Sequence, residues 1–275
     1  LFPNEGTMIR LTSDVYDCHL PLFKEETNEL LFVARKVIVS PESVEIKTKY
    51  TYEDKYSVYG ISLKEGAFEE KPRIYLENFH RITDLKKGPV NINYIVGQKT
   101  VESLSRVFEW TQGENINQIS SGFGNHQSVQ QSPDGKKLIS MVRGPDDKLG
   151  YIVINLDSKE SFALTSIRSS RMAGVWSPDS KNFIFSSSNS SIKDSWETKV
   201  YKVTIPQLLV SELFESNFLY KDFLMSESGE MLYFLSNYDN NYEAYRYNIE
   251  TKSQDRLTIS TGDETRLGFW TFSGI

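Results

Sequence analysis

Ala173 to Ser188, AGVWSPDSKNFIFSSS, reads as a short apolar strand, a tight turn and a second, strongly apolar strand, and the chain repeats this layout on either side. Its predecessor is VQQSPDGKKLISMVR (Val129 to Arg143) and its successor is FLMSESGEMLYFLSN (Phe223 to Asn237). In SPDG at Ser132 to Gly135, Pro133 presets φ for the second turn position. Asp134 can bond the backbone ahead of it, and Gly135 tolerates positive φ. SPDS puts Ser180 in the place of the glycine, and SESG puts Glu227 in the place of the proline. The turn signal fades along the chain while the hairpin layout persists. Turn formation accounts for these aspartates, and no catalytic role is assigned to them.

Working outward, a second mark recurs. Segments that look like a strand ending in Leu-Thr occur as IRLTS (Ile9 to Ser13), NQISS (Asn117 to Ser121), FALTS (Phe162 to Ser166), ELFES (Glu212 to Ser216) and DRLTI (Asp255 to Ile259). From Ile119 onward their spacing is about 45 residues, the period of a propeller blade and too long for most helical repeats. In the clearest unit the strands fall at Met172 to Trp176, Asn182 to Ser187, Thr198 to Thr204 and near Glu212. The second strand is apolar on consecutive residues: Phe183, Ile184 and Phe185 here, LLFV at Leu30 to Val33, MLYFL at Met231 to Leu235. Both of its faces must be buried, as stacked sheets require and an open sheet does not. The fourth strand is more polar, as in KSQDRL at Lys252 to Leu257, which suits an outer edge.

These features predict an all-β propeller of four-stranded antiparallel blades. Its expected blades are residues 12–76, 77–119, 120–164, 165–213 and 214–258 of a single domain, 1–275. The first unit carries an insert, VIVSPESVEIKTKYTYEDKY, whose alternation predicts a protruding hairpin. For the second unit, ENFHRI (Glu77 to Ile82), VNINYIVG, LSRVFEW and NINQIS give one register. A rival register aligns RITD (Arg81 to Asp84) with the Leu-Thr marks.

Composition excludes several classes of function. The 275 residues are 39% hydrophobic and 13% aromatic, enough for a large core. A net charge of -6, without a basic tract, argues against nucleic-acid binding. No apolar run is long enough to span a bilayer as a helix. Cys18 is the single cysteine, so no disulfide can form within the chain; it is expected as a small buried residue near a strand. A start at Leu1 reads as a processed mature protein or an excised domain.

VWSPDSKNFIFSSS and YFLSNYDNNYEAYRYNIETKSQDRLT (Tyr233 to Thr258) resemble the TolB-like, WD-related propeller repeat, closely over 120–257 and weakly before it. The resemblance implies a six-bladed ring whose chain ends share one closing blade, 259–275 with 1–11, the inner strand in RLGFWTFSGI and the outer one in GTMIRLT. It further implies a non-enzymatic binding or scaffold module of the bacterial cell envelope, periplasmic or extracellular, monomeric and contacting a protein or peptide partner. Two alternatives stand beside it, a propeller-type polysaccharide lyase or glycosidase and the propeller portion of a peptidase-like protein. No Gly-x-Ser-x-Gly elbow occurs, and His19, His80 and His126 are the only histidines. No cofactor or metal is expected. Loops joining second to third strands, and fourth to first, leave a propeller on one face, opposite the Ser-Pro-Asp-Gly turns. That face would collect His126, Arg143, Arg171, Trp196 and Tyr238 as the candidate binding residues.

Overall fold

A computed structural model describes residues 11–12, 16–40, 49–63, 72–89, 91–111, 116–122, 124–190, 196–238, 241–259, 262, 264 and 267, without the side chains of 37–40 and 49–52. Every regular element among them is a strand. The first sheet has the order β1 (Tyr16–Lys24), β2 (Glu29–Ser40), β4 (Tyr56–Ser62), β5 (Arg73–Phe79), with β3 (Lys49–Tyr52) on the far end of β2. Four sheets of four strands follow. They are β6 to β9 (Arg81–Lys87, Ile92–Gln98, Arg106–Thr111, Ile116–Gln118) and β10 to β13 (Asn125–Gln131, Lys137–Arg143, Leu149–Asn155, Ser161–Ala163). Next come β14 to β17 (Arg171–Trp176, Asn182–Ser190, Trp196–Thr204, Leu209–Ser216) and β18 to β21 (Tyr220–Met225, Met231–Ser236, Glu243–Asn248, Gln254–Arg256). All pairings between these strands are antiparallel, and all join sequence neighbours except β2 with β4, which brackets the insert. The predicted hairpin is that bracket, with Val37 opposite Tyr52.

The chain divides into two compact units, residues 1–121 with 125–129, and residues 122–124 with 130–275, so β10 crosses the division. In the first unit Leu31, Val33, Val58 and Phe79 pack with Ile82, Leu85, Ile95, Phe108 and Trp110. In the second unit β15 shows why its apolar run is continuous. Phe183 and Phe185 pack with Ile139, Tyr151, Val153 and Trp176 on one side, while Ile184 joins Phe223, Leu232 and Phe234 on the other.

The turns behave as their letters require. Ser132 Oγ donates to Asp134 Oδ1 at 2.6 Å, which accepts Lys136 N–H at 3.1 Å; Ser177 and Asp179 repeat this at 2.6 Å, with Lys181 N–H at 3.0 Å. The last turn residue is left-handed each time, with φ 73° at Gly135, 60° at Ser180 and 76° at Gly229. The Leu-Thr mark has a structural origin too. Leu257 N–H reaches Ala244 O at 2.7 Å, and Thr258 Oγ1 accepts Ala244 N–H at 2.9 Å, extending the short outer strand. Ile119 and Ser120 do the same on Val107, at 2.9 and 2.8 Å.

Three expectations are corrected. ENFHRI is not one strand: Glu77 to Phe79 end β5, His80 is the single connecting residue, and Arg81 opens β6. Neither register placed this break, because RIYLENF and RITDLKK both read as strand and only one residue separates them. Cys18 is exposed, on β1, its thiol 3.8 Å from Thr12 Oγ1. The polar fourth strand holds for β21, whose three residues are exposed, but β17 exposes Leu209 and Val210. The expected closing strands fall outside the described residues, apart from Leu11, Thr12 and Leu267.

Candidate partner-binding face

In the second unit the first strands of successive sheets lie side by side, held through side chains rather than a backbone ladder. Gln130 Nε2 donates to Gly174 O at 2.8 Å, and Trp176 Nε1 returns a bond to Gln130 O at 3.2 Å. At the turn end Asp134 N–H donates to Ser180 Oγ at 2.9 Å, so neighbouring hairpin turns interlock. Their carboxyls are occupied as well. The hydroxyls of Ser132 and Ser177 hold Asp134 and Asp179 below the usual carboxylate range. With the turn end committed to its own bonds, the opposite end of these sheets is left to offer side chains.

Arg143 closes β11 and turns back on its own loop, donating to Asp147 O at 2.9 Å and to Asp147 Oδ1 at 3.1 Å. Arg168 ties the same loop from the next connection, through Asp146 Oδ1 at 3.0 Å and Lys148 O at 2.7 Å. Arg171 and Trp196 are the pair of candidate residues that the structure brings together. Arg171 is opposite Ser188 on β15, Ser188 is opposite Thr198 on β16, and the guanidinium lies 5.2 Å from the centre of the Trp196 ring. Trp196 was expected in an exposed loop; it is the first residue of β16, paired with Ser190 and half-buried. Tyr238 stands in the β19–β20 connection, 56% exposed, its ring 4.6 Å from Phe218 and 6.5 Å from Tyr245.

His126 belongs to the first unit and is fully buried on β10. Burial, with the Arg106 guanidinium nearby, lowers its pKa to about 4, so the ring is neutral at physiological pH. It does not stand with the exposed candidates. Two groups escaped the sequence reading. Asp84 is buried on β6, where a register shift between Ile82 and Asp84 aims it at β10, and its Oδ2 accepts Val129 N–H at 2.9 Å. Glu243, buried at the start of β20, is held by Asn241 Nδ2 at 2.8 Å, Arg256 Nη2 at 3.3 Å and the Thr258 hydroxyl. Neither has a local signal: the partner of Asp84 lies 45 residues away, and Glu243 reads as one polar residue in a loop. Among the described residues no three His, Cys, Asp or Glu side chains are placed to hold a metal ion.

No protein-family model matches the sequence, and no curated protein sequence does either. Solved structures do match. TolB from Acinetobacter baumannii is 18% identical, with a TM-score of 0.54 over 85% of this chain and 54% of that one. A puromycin-hydrolyzing peptidase from Mycobacterium tuberculosis is 14% identical, with a TM-score of 0.63 over 92% of this chain and 40% of the peptidase. The β-propeller domain of the Trilobed protease from Pyrococcus furiosus is 14% identical, with a TM-score of 0.59 over 92% and 76%. At these identities the likeness is one of fold. The chain has a TolB-like propeller fold, and it spans about half the length of the TolB chain that it matches.

Proposed function

We propose that this protein is a non-enzymatic binding module of a bacterial envelope, periplasmic or extracellular, that engages a protein or peptide partner through the loop-bearing end of its second unit. One observation carries the reading. The Arg171–Trp196 stack and the exposed Tyr238 present cationic and aromatic groups at that end, while the turn end spends its hydroxyls and carboxylates internally. Aromatic and arginine side chains are the types that anchor protein contacts. The likeness to TolB supports the envelope assignment, and the acidic net charge favours a partner with basic groups at its rim. Arg143, Arg171, Trp196 and Tyr238 are the proposed contact residues, and six blades in one monomeric domain, closed by the chain ends, are the proposed architecture. Replacing Trp196 and Tyr238 by Ala should weaken partner capture from envelope extract at least about tenfold, or 1.4 kcal/mol, with the fold intact. Unchanged capture would remove this face from the proposal. Turnover in a screen of oligosaccharides with divalent metals would replace a binding module with an enzyme.

A second reading is favoured by the peptidase comparison, which covers 92% of this chain and only 40% of the enzyme. On that reading the chain is the propeller portion of a longer peptidase-like protein. Sequencing the gene beyond Ile275 separates the two, because a hydrolase domain there would decide for the second.

A further inference from the structure

The outer strands of the five sheets differ in one respect that bears on what they can accept. Three of them, β9, β13 and β21, have three residues each, too short to template another strand. The seven residues of β5 meet β4 with two register shifts. In contrast β17 runs eight residues along β16, from Leu209 opposite Thr204 to Ser216 opposite Thr198, with one shift between Val200 and Tyr201. Its outward side carries no strand among the described residues. Leu213 O, at the bulge, accepts Tyr247 Oη at 3.4 Å, and the ladder bonds of β17 otherwise run to β16 alone. Leu209 and Val210 on this edge are 66% and 44% exposed, and β17 contains neither Lys nor Pro; its charges are the carboxylates of Glu212 and Glu215, which deter an acidic strand and admit a basic one.

At the Ser216 end the edge opens into a cleft of about 520 Å³ lined by Glu197, Thr198, Lys199, Glu215, Ser216 and Asn217. Lys199 bridges Glu212 at 3.0 Å and Glu215 at 3.3 Å, so its one ammonium is shared by those two carboxylates, while the exposed Glu197 also lines the cleft. The cleft is therefore net acidic and suits an added cation.

Resting on the reading of a peptide partner, we propose that β17 is where an extended, basic segment of that partner binds. The segment adds as a further antiparallel strand, and a Lys or Arg near its N-terminal end seats between Glu197 and Glu215. Backbone bonds to the edge supply affinity without regard to sequence, and the acidic cleft selects the cation and sets the register. The antiparallel sense continues the pairing of every strand in that sheet.

The test uses the full chain and an end-blocked peptide of about eight residues, alternating Thr and Val with Lys near its N-terminus. Amide chemical shifts are expected to move along Leu209 to Ser216. N-methylation of alternate peptide amides should abolish binding when it falls on the edge facing the protein and leave it intact on the other. Changing the peptide Lys to Glu should weaken binding about fivefold or more, and Glu197→Lys in the protein should restore it. Glu197 is exposed, so this variant is expected to fold. Absence of binding, indifference to both N-methylated peptides, failure of the charge exchange, or self-association of the chain through β17 would each overturn the proposal. Loss of partner capture on replacing Trp196 and Tyr238, seen beside any of those results, would leave the wider reading standing.

Discussion

Replacing Asp84 by Leu removes the acceptor for two backbone N–H groups, Val129 at 2.9 Å and Leu85 at 3.1 Å, in a site where little solvent can replace it. Each buried N–H left unbonded costs about 1 to 3 kcal/mol, so the variant should lose roughly 2 to 6 kcal/mol. For a chain of this size that corresponds to a fall in Tm of about 4 to 24 °C. Lys86 adds little, because its ammonium is 3.5 Å away and half-exposed. Asp84→Asn should behave differently, since the amide oxygen still accepts Val129 N–H and only the Leu85 N–H loses its acceptor, a loss that removal of the buried charge offsets. Burial, opposed by Lys86 and the two N–H groups, raises the Asp84 pKa above the ordinary carboxylate value. The folded state therefore holds the proton more tightly than the unfolded chain does. Stability from this group is greatest below the unfolded pKa and is lost as pH rises through the folded one, so at pH 7 the charge weighs against folding. The Asn variant should then lie within about 1 kcal/mol of the parent at pH 7. Calorimetry at pH 7, with hydrogen exchange at the Val129 amide, measures both. A Leu variant that melts with the parent, or an Asn variant that falls as far as Leu, would refute the assignment of the carboxylate as the stitch between β6 and β10.

Three further outcomes are expected. The depressed pKa of His126 means that the unfolded chain takes up a proton that the fold refuses, so stability drops as pH falls from 6.5 to about 4; His126→Gln should flatten that limb of a stability-versus-pH curve by up to about 3 kcal/mol. Ser180→Ala should cost about 1 kcal/mol in urea denaturation by deleting the acceptor of Asp134 N–H, whereas Ser180→Gly should recover part of this by relieving φ 60°. An Ala variant as stable as the parent would show that the interlocked turns contribute nothing. Trp176→Phe keeps a ring in the core but deletes the donor to Gln130 O, and a loss of about 1 to 2 kcal/mol is expected in the same measurement.

Local chemistry was legible where it acts over a few residues. SPDG and SPDS located two hairpins because the serine, aspartate and left-handed residue bond within the turn, and Phe183 to Phe185 revealed burial on both faces because a strand alternates at every residue. The break at His80 was not legible, since one residue can end a sheet without any turn composition. The loop-end candidates are read from the loops that carry them, and where their side chains stand depends on contacts that sequence does not carry. Trp196 is drawn into a strand and under Arg171, and His126 is enclosed beside Arg106. The β17 edge was missed for a similar reason. ELFES was read as a Leu-Thr mark, whereas in the structure it ends an outer strand of eight residues whose exposed Leu209 and Val210 precede it.

The two ends of the second unit differ in how they spend their polar groups. At the turn end, Ser132, Asp134, Ser177, Asp179 and Ser180 each spend their polar atoms on backbone or on each other, so a substitution there is felt as a lost turn bond. At the loop end the bonds that do form are of another kind. Arg143 holds Asp147 within one loop, and the Arg171 guanidinium lies over the Trp196 ring, 5.2 Å from its centre. Such contacts position a side chain without consuming all of its donors. Glu243 shows how that is made possible: buried and held by Asn241, Arg256 and Thr258, it fixes the start of β20 beside the connection that presents Tyr238. A carboxylate withdrawn from water thus anchors a loop whose exposed ring stays available. A face built this way can change its exposed residues without disturbing the hairpins beneath them.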